Sequence, residues 1–114
     1  MPHPRPGRRS PLERRVWTAL TTVRDPATPA IDIVAMGMVY AVAADKDGQV
    51  RIDLAFSSPT HPDNLGLPGQ VSAVVRELEG VTECRVRIVT DPPWSIDRLS
   101  DRARTELAVT GGSD

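Results

Sequence analysis

The sequence predicts one α+β domain with the element order α-β-β-α-β-α, in which a small mixed sheet has its helices packed on one face. Apolar residues recur at helical spacing in some segments and alternate with polar residues in others, and proline or glycine separates the segments. The 114 residues, of which 39% are hydrophobic and 25% charged, suit a single modest core.

The first predicted element is a helix that begins at a capping box. Ser10 suits the N-cap, Pro11 the first helical position, and Glu13 can reach back to the N-cap amide. Apolar residues then follow at helical spacing until Asp25 and the next proline, at Leu12, Val16, Leu20 and Val23. Residues 1–9 are rich in proline and arginine without periodicity, so we expect a disordered basic arm there.

The next elements are predicted to form a β-hairpin. Residues 25–29 contain two prolines and are expected to be a stiff connector, and a break at Gly37 precedes strand one, residues 38–44. The turn at residues 45–48 ends in glycine, and apolar and polar residues alternate after it in strand two. The apolar set is Val50, Ile52, Leu54 and Phe56.

A second helix, a third strand and a short final helix complete the predicted domain at residues 10–109. The second helix spans residues 67–78 and stops at Gly80, and the third strand spans residues 84–89, with Cys84 facing inward. Leu99, Ala103 and Leu107 mark the final helix, and residues 110–114 are expected to be disordered.

Composition excludes several functional classes. A single cysteine, Cys84, rules out an internal disulfide and a Cys-rich metal site within one chain. No segment approaches the roughly 20 apolar residues that cross a bilayer, and the net charge of -1 does not suggest a nucleic-acid partner. We therefore expect a cytoplasmic protein that binds neither membrane nor nucleic acid.

Two proline-rich corners point to a common site. Residues 57–62, Ser-Ser-Pro-Thr-His-Pro, follow strand two, and residues 91–95, Asp-Pro-Pro-Trp-Ser, follow strand three. A strand-helix-strand unit is normally parallel, so both corners should meet the start of strand one at one edge of the sheet, where ligand sites are common. The candidate site residues are Asp25, Gly37, Ser58, His61, Asp63, Asn64, Asp91 and Trp94.

At these motifs the chain resembles the small metal-sulfur cluster assembly domains, including the SufT-like proteins and the PaaD-like companions of phenylacetyl-CoA oxygenase. The resemblance covers about Leu12 to Arg104. It is carried by the ordered series Val16-Trp17-Thr18-Ala19-Leu20, Val23-Arg24-Asp25-Pro26, Met36-Gly37-Met38-Val39-Tyr40, Ser57-Ser58-Pro59-Thr60-His61-Pro62, Glu79-Gly80-Val81 and Asp91-Pro92-Pro93-Trp94-Ser95.

The chain departs from the family pattern in three loops. The family pattern has Asp-Pro-Glu in the first loop, an acidic residue two before the glycine in the second, and Thr-x-Pro-x-Cys-Pro in the third. This chain has Ala27, Ala35 and His61 at the glutamate, acidic and cysteine positions, and Ser57 at the threonine position. A neutral imidazole coordinates iron or zinc but cannot carry persulfide sulfur, so we do not expect His61 to carry sulfur.

The motifs that define the family framework are present, whereas residues of the family site are replaced in three loops. Three functions are compatible with this combination. The first is a non-enzymatic adaptor in iron-sulfur cluster assembly or in the maturation of an oxygenase-type metalloprotein, whose partners are the client, an oxygenase complex or cluster-assembly proteins. The second is a repurposed enzyme of a biosynthetic pathway, in which His61 acts as acid, base or metal ligand beside Asp25 or Asp91. The third is a structural subunit of a larger complex. Homo-oligomers fit all three.

The sequence is compatible with iron, with an iron-sulfur cluster or with no cofactor. As a metal ligand, His61 would need oxygen donors from Asp25, Asp63 or Asp91, or residues of another chain. The alternative for a lone histidine in a turn is a hydrogen-bonded structural role.

Overall fold

The computed structural model describes residues 9–110. The expected disordered arm, except Arg9, and the expected disordered tail, except Thr110, therefore lie outside the described residues, and the domain boundaries stay predictions. Within residues 9–110, no helix combines the length and the apolar composition needed to cross a membrane.

Three helices form in the predicted order: α1 at Pro11–Leu20, α2 at Leu67–Arg76 and α3 at Asp101–Thr110. Each is displaced or shorter than the apolar spacing predicts, because Val23, Leu78 and Leu99 lie outside the helices. The capping box of α1 is present, because the Ser10 hydroxyl accepts from the Glu13 amide at 3.1 Å and the Glu13 carboxylate accepts from the Ser10 amide at 2.9 Å. The second oxygen of Glu13 accepts from the Ala44 amide at 3.0 Å. One glutamate thus caps the helix and fastens it to the edge of the sheet.

The main sheet has three strands in the order β3-β4-β5, formed by Val39–Ala44, Gln49–Leu54 and Glu83–Ile88. Strands β3 and β4 are an antiparallel hairpin whose turn ends at Gly48, with φ of +83°. Strands β4 and β5 are parallel, and α2 connects them. The predicted hairpin, the parallel pair and the mixed sheet are confirmed.

The segment before the main sheet is more ordered than the stiff connector that the prolines predict. Arg24–Asp25 (β1) and Thr28–Asp32 (β2) form a separate two-stranded antiparallel sheet. The chain reverses tightly at Pro26 and Ala27, and Pro29 is tolerated because a two-stranded ribbon consists only of edge strands. This reversal holds Asp25 in a fixed position.

The core lies between one face of the main sheet and the helices, which confirms the α+β class. Its fully buried side chains come from both layers, and they include Val16, Leu20, Ile52, Leu54, Val71 and Val75. Cys84 is buried in the same cluster, as the alternation of strand three predicts. Side chains on the opposite face of the sheet are mostly charged and exposed, among them Arg51, Arg85 and Arg87.

Candidate functional site

A buried carboxylate joins two of the loops that the sequence assigns to the site. Asp25 is 1% exposed, and its carboxylate accepts hydrogen bonds from the Ser57 hydroxyl at 2.7 Å and from the Ala27 amide at 3.2 Å. Strand β1 supplies the aspartate and the loop after β4 supplies the serine. The first and third loops therefore meet through this hydrogen bond.

His61 caps the short 3₁₀ helix at Pro62–Gly66. Its Nδ1 atom accepts from the Asp63 amide at 3.2 Å, so the proton of the neutral ring is on Nε2. The Nε2–H group is then a hydrogen-bond donor. A metal on Nε2 would require the proton to move to Nδ1, where it would face the Asp63 amide and break the cap.

Asn64 holds the same loop from the inside. Its side chain is 5% exposed and donates to the Ser58 carbonyl at 2.7 Å, and the His61 amide donates to that same carbonyl at 3.1 Å. Ser58 thus contributes a backbone acceptor, and Asn64 acts as an internal brace. The loop geometry is therefore set by hydrogen bonds among its own residues.

The predicted site residues are distributed over three neighbouring concavities of the surface. Trp94 lines one of about 110 Å³ beside Ser57, which is not one of the predicted site residues. His61 and Asn64 line one of about 490 Å³, and Asp25 and Asp63 line one of about 540 Å³. The first two share three apolar walls, namely Phe56, Pro59 and Ile88. We call these two adjoining cavities the strand-end groove.

Gly37, Ser58 and Asp91 line none of these three cavities, and the corner at residues 91–95 is instead fastened to the loop that contains Gly37. The Trp94 indole N–H donates to the Met36 carbonyl at 2.6 Å, and the Arg98 guanidinium donates to the Gly37 carbonyl at 3.0 Å. Gly37 has a φ of +72°, and a Cβ there would collide with the carbonyl oxygen of Arg98. Gly37 is therefore required for this close backbone approach.

Asp91 itself is exposed and precedes a cis proline bond. The carbonyl of the following Pro92 accepts from the Tyr40 hydroxyl at 2.9 Å, and the Tyr40 ring carries the Arg98 guanidinium at 3.8 Å from its centroid. The conformation of the second corner thus depends on contacts with β3.

The only cysteine does not belong to this site. Cys84 is opposite Val50 near the start of the parallel pair, whereas His61 follows the far end of β4. Burial raises the pKa of the Cys84 thiol, and a hydrogen bond with Ser72 and the charge of Arg76 only partly offset that rise. A buried thiol with a raised pKa is a poor nucleophile and a poor metal ligand.

Sequence reasoning missed a second buried carboxylate, Asp32, at the end of β2. It is 2% exposed, accepts from the Val34 and Ala35 amides at 3.0 and 2.9 Å, and pairs with Arg102 at 2.6 Å. The hydrogen bond to Asp32 raises the pKa of Arg102. The available signal was an aspartate within the apolar run of residues 31–34, and its role here is to anchor α3.

The described part of the chain contains no cluster of side chains that forms a conventional metal centre. Within residues 9–110, no three side chains of His, Cys, Asp or Glu converge as metal ligands do. The predicted role of His61 as a metal ligand therefore stays a prediction that needs donors from another molecule.

Comparison with known proteins agrees with the resemblance seen in the loops. Residues 13–88 match the family model described as iron-sulfur cluster assembly protein. The chain is 33% identical to the Fe-S protein maturation auxiliary factor YitW of Bacillus subtilis over 98 residues, which is 86% of this chain and 95% of that protein. It is 35% identical to the Fe-S protein maturation auxiliary factor SufT of Staphylococcus aureus over 80 residues, 70% of this chain and 91% of that protein.

A more distant relative and a solved structure support the same grouping. A protein of Escherichia coli named as a putative subunit of 1,2-phenylacetyl-CoA epoxidase is 27% identical over 103 residues, 89% of this chain and 60% of that protein. The crystal structure of a DUF59 domain from Bacillus anthracis superposes with a TM-score of 0.81 at 31% identity, covering 86% of this chain and 92% of that one. Sequence and fold thus point to one family.

Proposed function

The chain belongs to the iron-sulfur cluster assembly protein family, and from this premise we propose that it is an accessory factor of iron-sulfur protein maturation that acts as an adaptor through the strand-end groove. The matched regions cover 95% and 91% of two relatives that are named as Fe-S protein maturation auxiliary factors, which supports the accessory role. The strand-end groove is the surface through which we propose that the chain binds other proteins.

The observation that carries the proposal is the exposure of large apolar side chains beside His61. Leu65 is 93% exposed and Ile88 is 38% exposed, and both line the part of the groove that contains His61. Apolar groups grouped around a concavity are typical of a protein-binding surface. The Nε2–H of His61 adds a polar donor to this surface, which suits a partner that presents a carbonyl or carboxylate.

The chemistry of position 61 supports an adaptor over a cluster carrier. Imidazole cannot carry persulfide sulfur, and the Nδ1 atom of His61 is already engaged with the Asp63 amide. Cys84 is buried near the opposite end of the parallel strands and does not replace the missing thiol. In this proposal the partner proteins carry the iron-sulfur cluster, and the cluster is not a resident group of this chain.

The partners that we propose are cluster-assembly proteins or client proteins, with an oxygenase-type complex as one client class. The similarity to a putative epoxidase component supports that class. We propose the cytoplasm as the compartment, because the one thiol is free and buried and the relatives are named as maturation factors. The repurposed enzyme stays the alternative. However, both carboxylate oxygens of Asp25 already accept hydrogen bonds, from the Ser57 hydroxyl and the Ala27 amide, which favours a structural role for Asp25.

A complementation experiment tests the adaptor role. The chain is expressed in a bacterium that lacks its own SufT-like protein, and the specific activity and iron content of an iron-sulfur enzyme are measured in the extracts. We expect the wild-type chain to restore both. Leu65→Glu and Ile88→Glu should each reduce the restoration, because a charge in the groove opposes burial against a partner.

Ile96→Glu is the matched control. Ile96 is a large apolar residue, 64% exposed, and it does not line the groove. If Ile96→Glu reduces the restored activity as much as the groove variants do, the groove is not the contact surface. Failure of the wild-type chain to restore any activity, while it is soluble and folded in the cells, would reject the adaptor role.

A further inference from the structure

A concavity on the outer side of α1 is a second candidate surface, distinct from the strand-end groove. Its volume is about 490 Å³, and we call it the α1 concavity. Most of its lining comes from α1 residues spaced three or four positions apart, which lie on one side of the helix. The lining residues are Pro11, Arg14, Arg15, Thr18, Ala19 and Leu78.

The two arginines of the α1 concavity carry positive charge that is not paired with an acid. Arg14 and Arg15 are exposed, and no acidic residue lines the concavity beside them. Within residues 9–110, neither guanidinium forms an ion pair with a carboxylate. The Arg14 guanidinium donates instead to the Arg9 carbonyl at 2.9 Å, and the Arg15 guanidinium donates to the Glu79 carbonyl at 2.8 Å. These bonds fix two cationic groups in place without cancelling their charge.

The neighbouring acids do not compete for these arginines. The two oxygens of Glu13 accept from the Ser10 and Ala44 amides. Glu79 offers its carbonyl to Arg15, but its carboxylate forms no ion pair with that residue in the described part of the chain. No acid lies three or four positions from either arginine in α1, so the usual intrahelical ion pair is absent. An anion that enters the concavity therefore finds both guanidinium groups unpaired.

Positive charge is concentrated at this end of the sequence. Residues 1–15 contain five arginines and one glutamate, whereas the whole chain has a net charge of -1. Arg9 is one of these arginines, and its guanidinium lies over the Trp17 ring at 4.3 Å from the centroid. The partial positive charge at the start of a helix has the same sign. The charge distribution therefore favours a negatively charged occupant.

The rest of the lining is mostly apolar and discriminates among negatively charged occupants. Pro11, Ala19 and Leu78 supply the apolar part, and Leu78 also packs against the hydrophobic core. A nucleic-acid backbone has no apolar group to cover these side chains, and no aromatic ring lines the concavity for a base to stack on. A peptide that combines carboxylates with an apolar side chain matches both parts of the lining.

We propose that the α1 concavity binds an acidic segment of a partner protein, with an apolar side chain among its carboxylates. Planar guanidinium groups bind carboxylates bidentately, and Arg14 and Arg15 are already held by their carbonyl partners. Because the arginines are held in this way, less conformational entropy is lost on binding. The apolar side chain of the partner covers Leu78 and its apolar neighbours, which a purely ionic contact does not.

The α1 concavity lies at the opposite end of the sheet from the strand-end groove. Arg15 contacts Glu79, which shortly precedes the start of β5, whereas Ile88 of the groove is the last residue of β5. A six-residue strand spans about 20 Å, so two partners fit at the two surfaces together. The role of this surface as a second contact rests on the proposed function, because an adaptor needs two surfaces to bring two proteins together.

The contact should be weak and sensitive to salt. Its lining is much smaller than the roughly 20–30 residues that each partner contributes to a stable interface. Exposed charges are screened over about 8 Å at physiological salt. This surface therefore steers a partner and sets its orientation, while the strand-end groove supplies lasting contact.

A direct binding measurement tests the inference. A fluorescein-labelled peptide of sequence Glu-Glu-Leu-Glu-Glu-Leu-Glu-Glu is titrated with the full chain at low salt, and fluorescence anisotropy gives the dissociation constant. The double variant Arg14→Gln/Arg15→Gln should weaken binding about tenfold, since two charge-assisted contacts are lost. A peptide with serine in place of both leucines should bind the wild type roughly fivefold more weakly, because the apolar contact is lost.

The control variant Arg85→Gln/Arg104→Gln removes the same charge from exposed positions on β5 and α3, outside the α1 concavity. Arg104 also donates to a carbonyl, that of Asp97 at 3.1 Å, so it matches the arginines of the concavity. This variant should leave peptide binding unchanged. Absence of binding by the wild type, or equal weakening by both double variants, would overturn the proposal. Equal binding of the leucine and serine peptides, or tighter binding of a labelled DNA octamer, would overturn it in favour of an unselective cationic surface.

The two proposals fail separately. Peptide binding involves no iron-sulfur protein, so its absence beside successful complementation rejects only the α1 concavity as a binding site. Peptide binding that follows the expected pattern beside failed complementation rejects only the adaptor role.

Discussion

Removal of the Ser57 hydroxyl tests whether the buried Asp25 carboxylate is what joins the first and third loops. In Ser57→Ala, one oxygen of a carboxylate that is 1% exposed loses its 2.7 Å hydrogen bond, and no solvent replaces it. A hydrogen bond to a charged group contributes about 1.5–3 kcal/mol to stability. For a domain of this size that loss lowers the melting temperature by roughly 6–12 °C.

The assay is urea denaturation of the wild type, Ser57→Ala and a matched serine variant, Ser95→Ala. Ser95 is exposed, and its side chain makes no capping hydrogen bond in the short helix that follows it. Its substitution should change the free energy of unfolding by less than about 0.5 kcal/mol. If Ser57→Ala and Ser95→Ala have the same unfolding free energy, the hydrogen bond to Asp25 does not hold the loops together.

Asp25→Asn completes the series and separates a structural role from a catalytic one. The amide keeps an acceptor for the Ala27 amide and can donate to the Ser57 hydroxyl, so we expect a stability loss below about 1 kcal/mol. If the chain is an adaptor, this variant also keeps its accessory activity. A folded Asp25→Asn protein without that activity would instead support the enzyme alternative.

The remaining predictions concern two glycines and the cysteine. Gly37→Ala should destabilise the protein by more than about 2 kcal/mol in urea denaturation, because its φ is +72° and the new Cβ meets the Arg98 carbonyl. Gly69→Ala should instead stabilise it by about 0.5–1 kcal/mol, because Gly69 is helical and nothing lies within 4 Å of the added carbon; equal effects at the two glycines would contradict the backbone geometry. Because burial raises the pKa of the Cys84 thiol, its contribution to stability is fully present below the unfolded pKa of about 8.5 and is lost as pH rises through the folded value. Unfolding free energies near pH 7 and pH 10 should therefore fall more for the wild type than for Cys84→Ala, and an identical fall in both would refute the raised pKa.

Local signals account for the elements that sequence reasoning predicted correctly. The capping box of α1, the glycine turn at Gly48 and the alternation of β4 each depend on residues a few positions apart. The parallel β4-β5 pair followed from the usual parallel arrangement of the two strands in a strand-helix-strand unit. These features need no knowledge of distant contacts.

Long-range pairs account for what was missed. The strands β1 and β2 contain or border prolines that favour a connector, and their aspartates, Asp25 and Asp32, have partners far along the chain. Asp32 pairs with Arg102, which is 70 residues away, and Asp25 pairs with Ser57, 32 residues away. No local pattern specifies which serine or arginine a buried aspartate will meet.

The candidate site also combines features that were predictable from the sequence with features that were not. The convergence of the loops at Asp25 and Ser57 was predictable from topology, but the hydrogen bond of His61 to the Asp63 amide was not. That bond depends on the φ and ψ of one turn, and it decides which ring nitrogen is free. The exposure of Leu65 was also unforeseen, because helical spacing assigns no solvent face inside a five-residue 3₁₀ helix.

The central claim is that the chain supports iron-sulfur protein maturation by contact and not by chemistry at position 61. The direct test is the specific activity of an iron-sulfur enzyme in cells that lack their own SufT-like protein and express His61→Ala. Loss of the cap should cost about 1 kcal/mol of stability and leave the domain folded, so we expect most of the wild-type restoration to persist. Enzyme activity no higher than in cells without the chain, while the His61→Ala protein is present and folded, would contradict the claim.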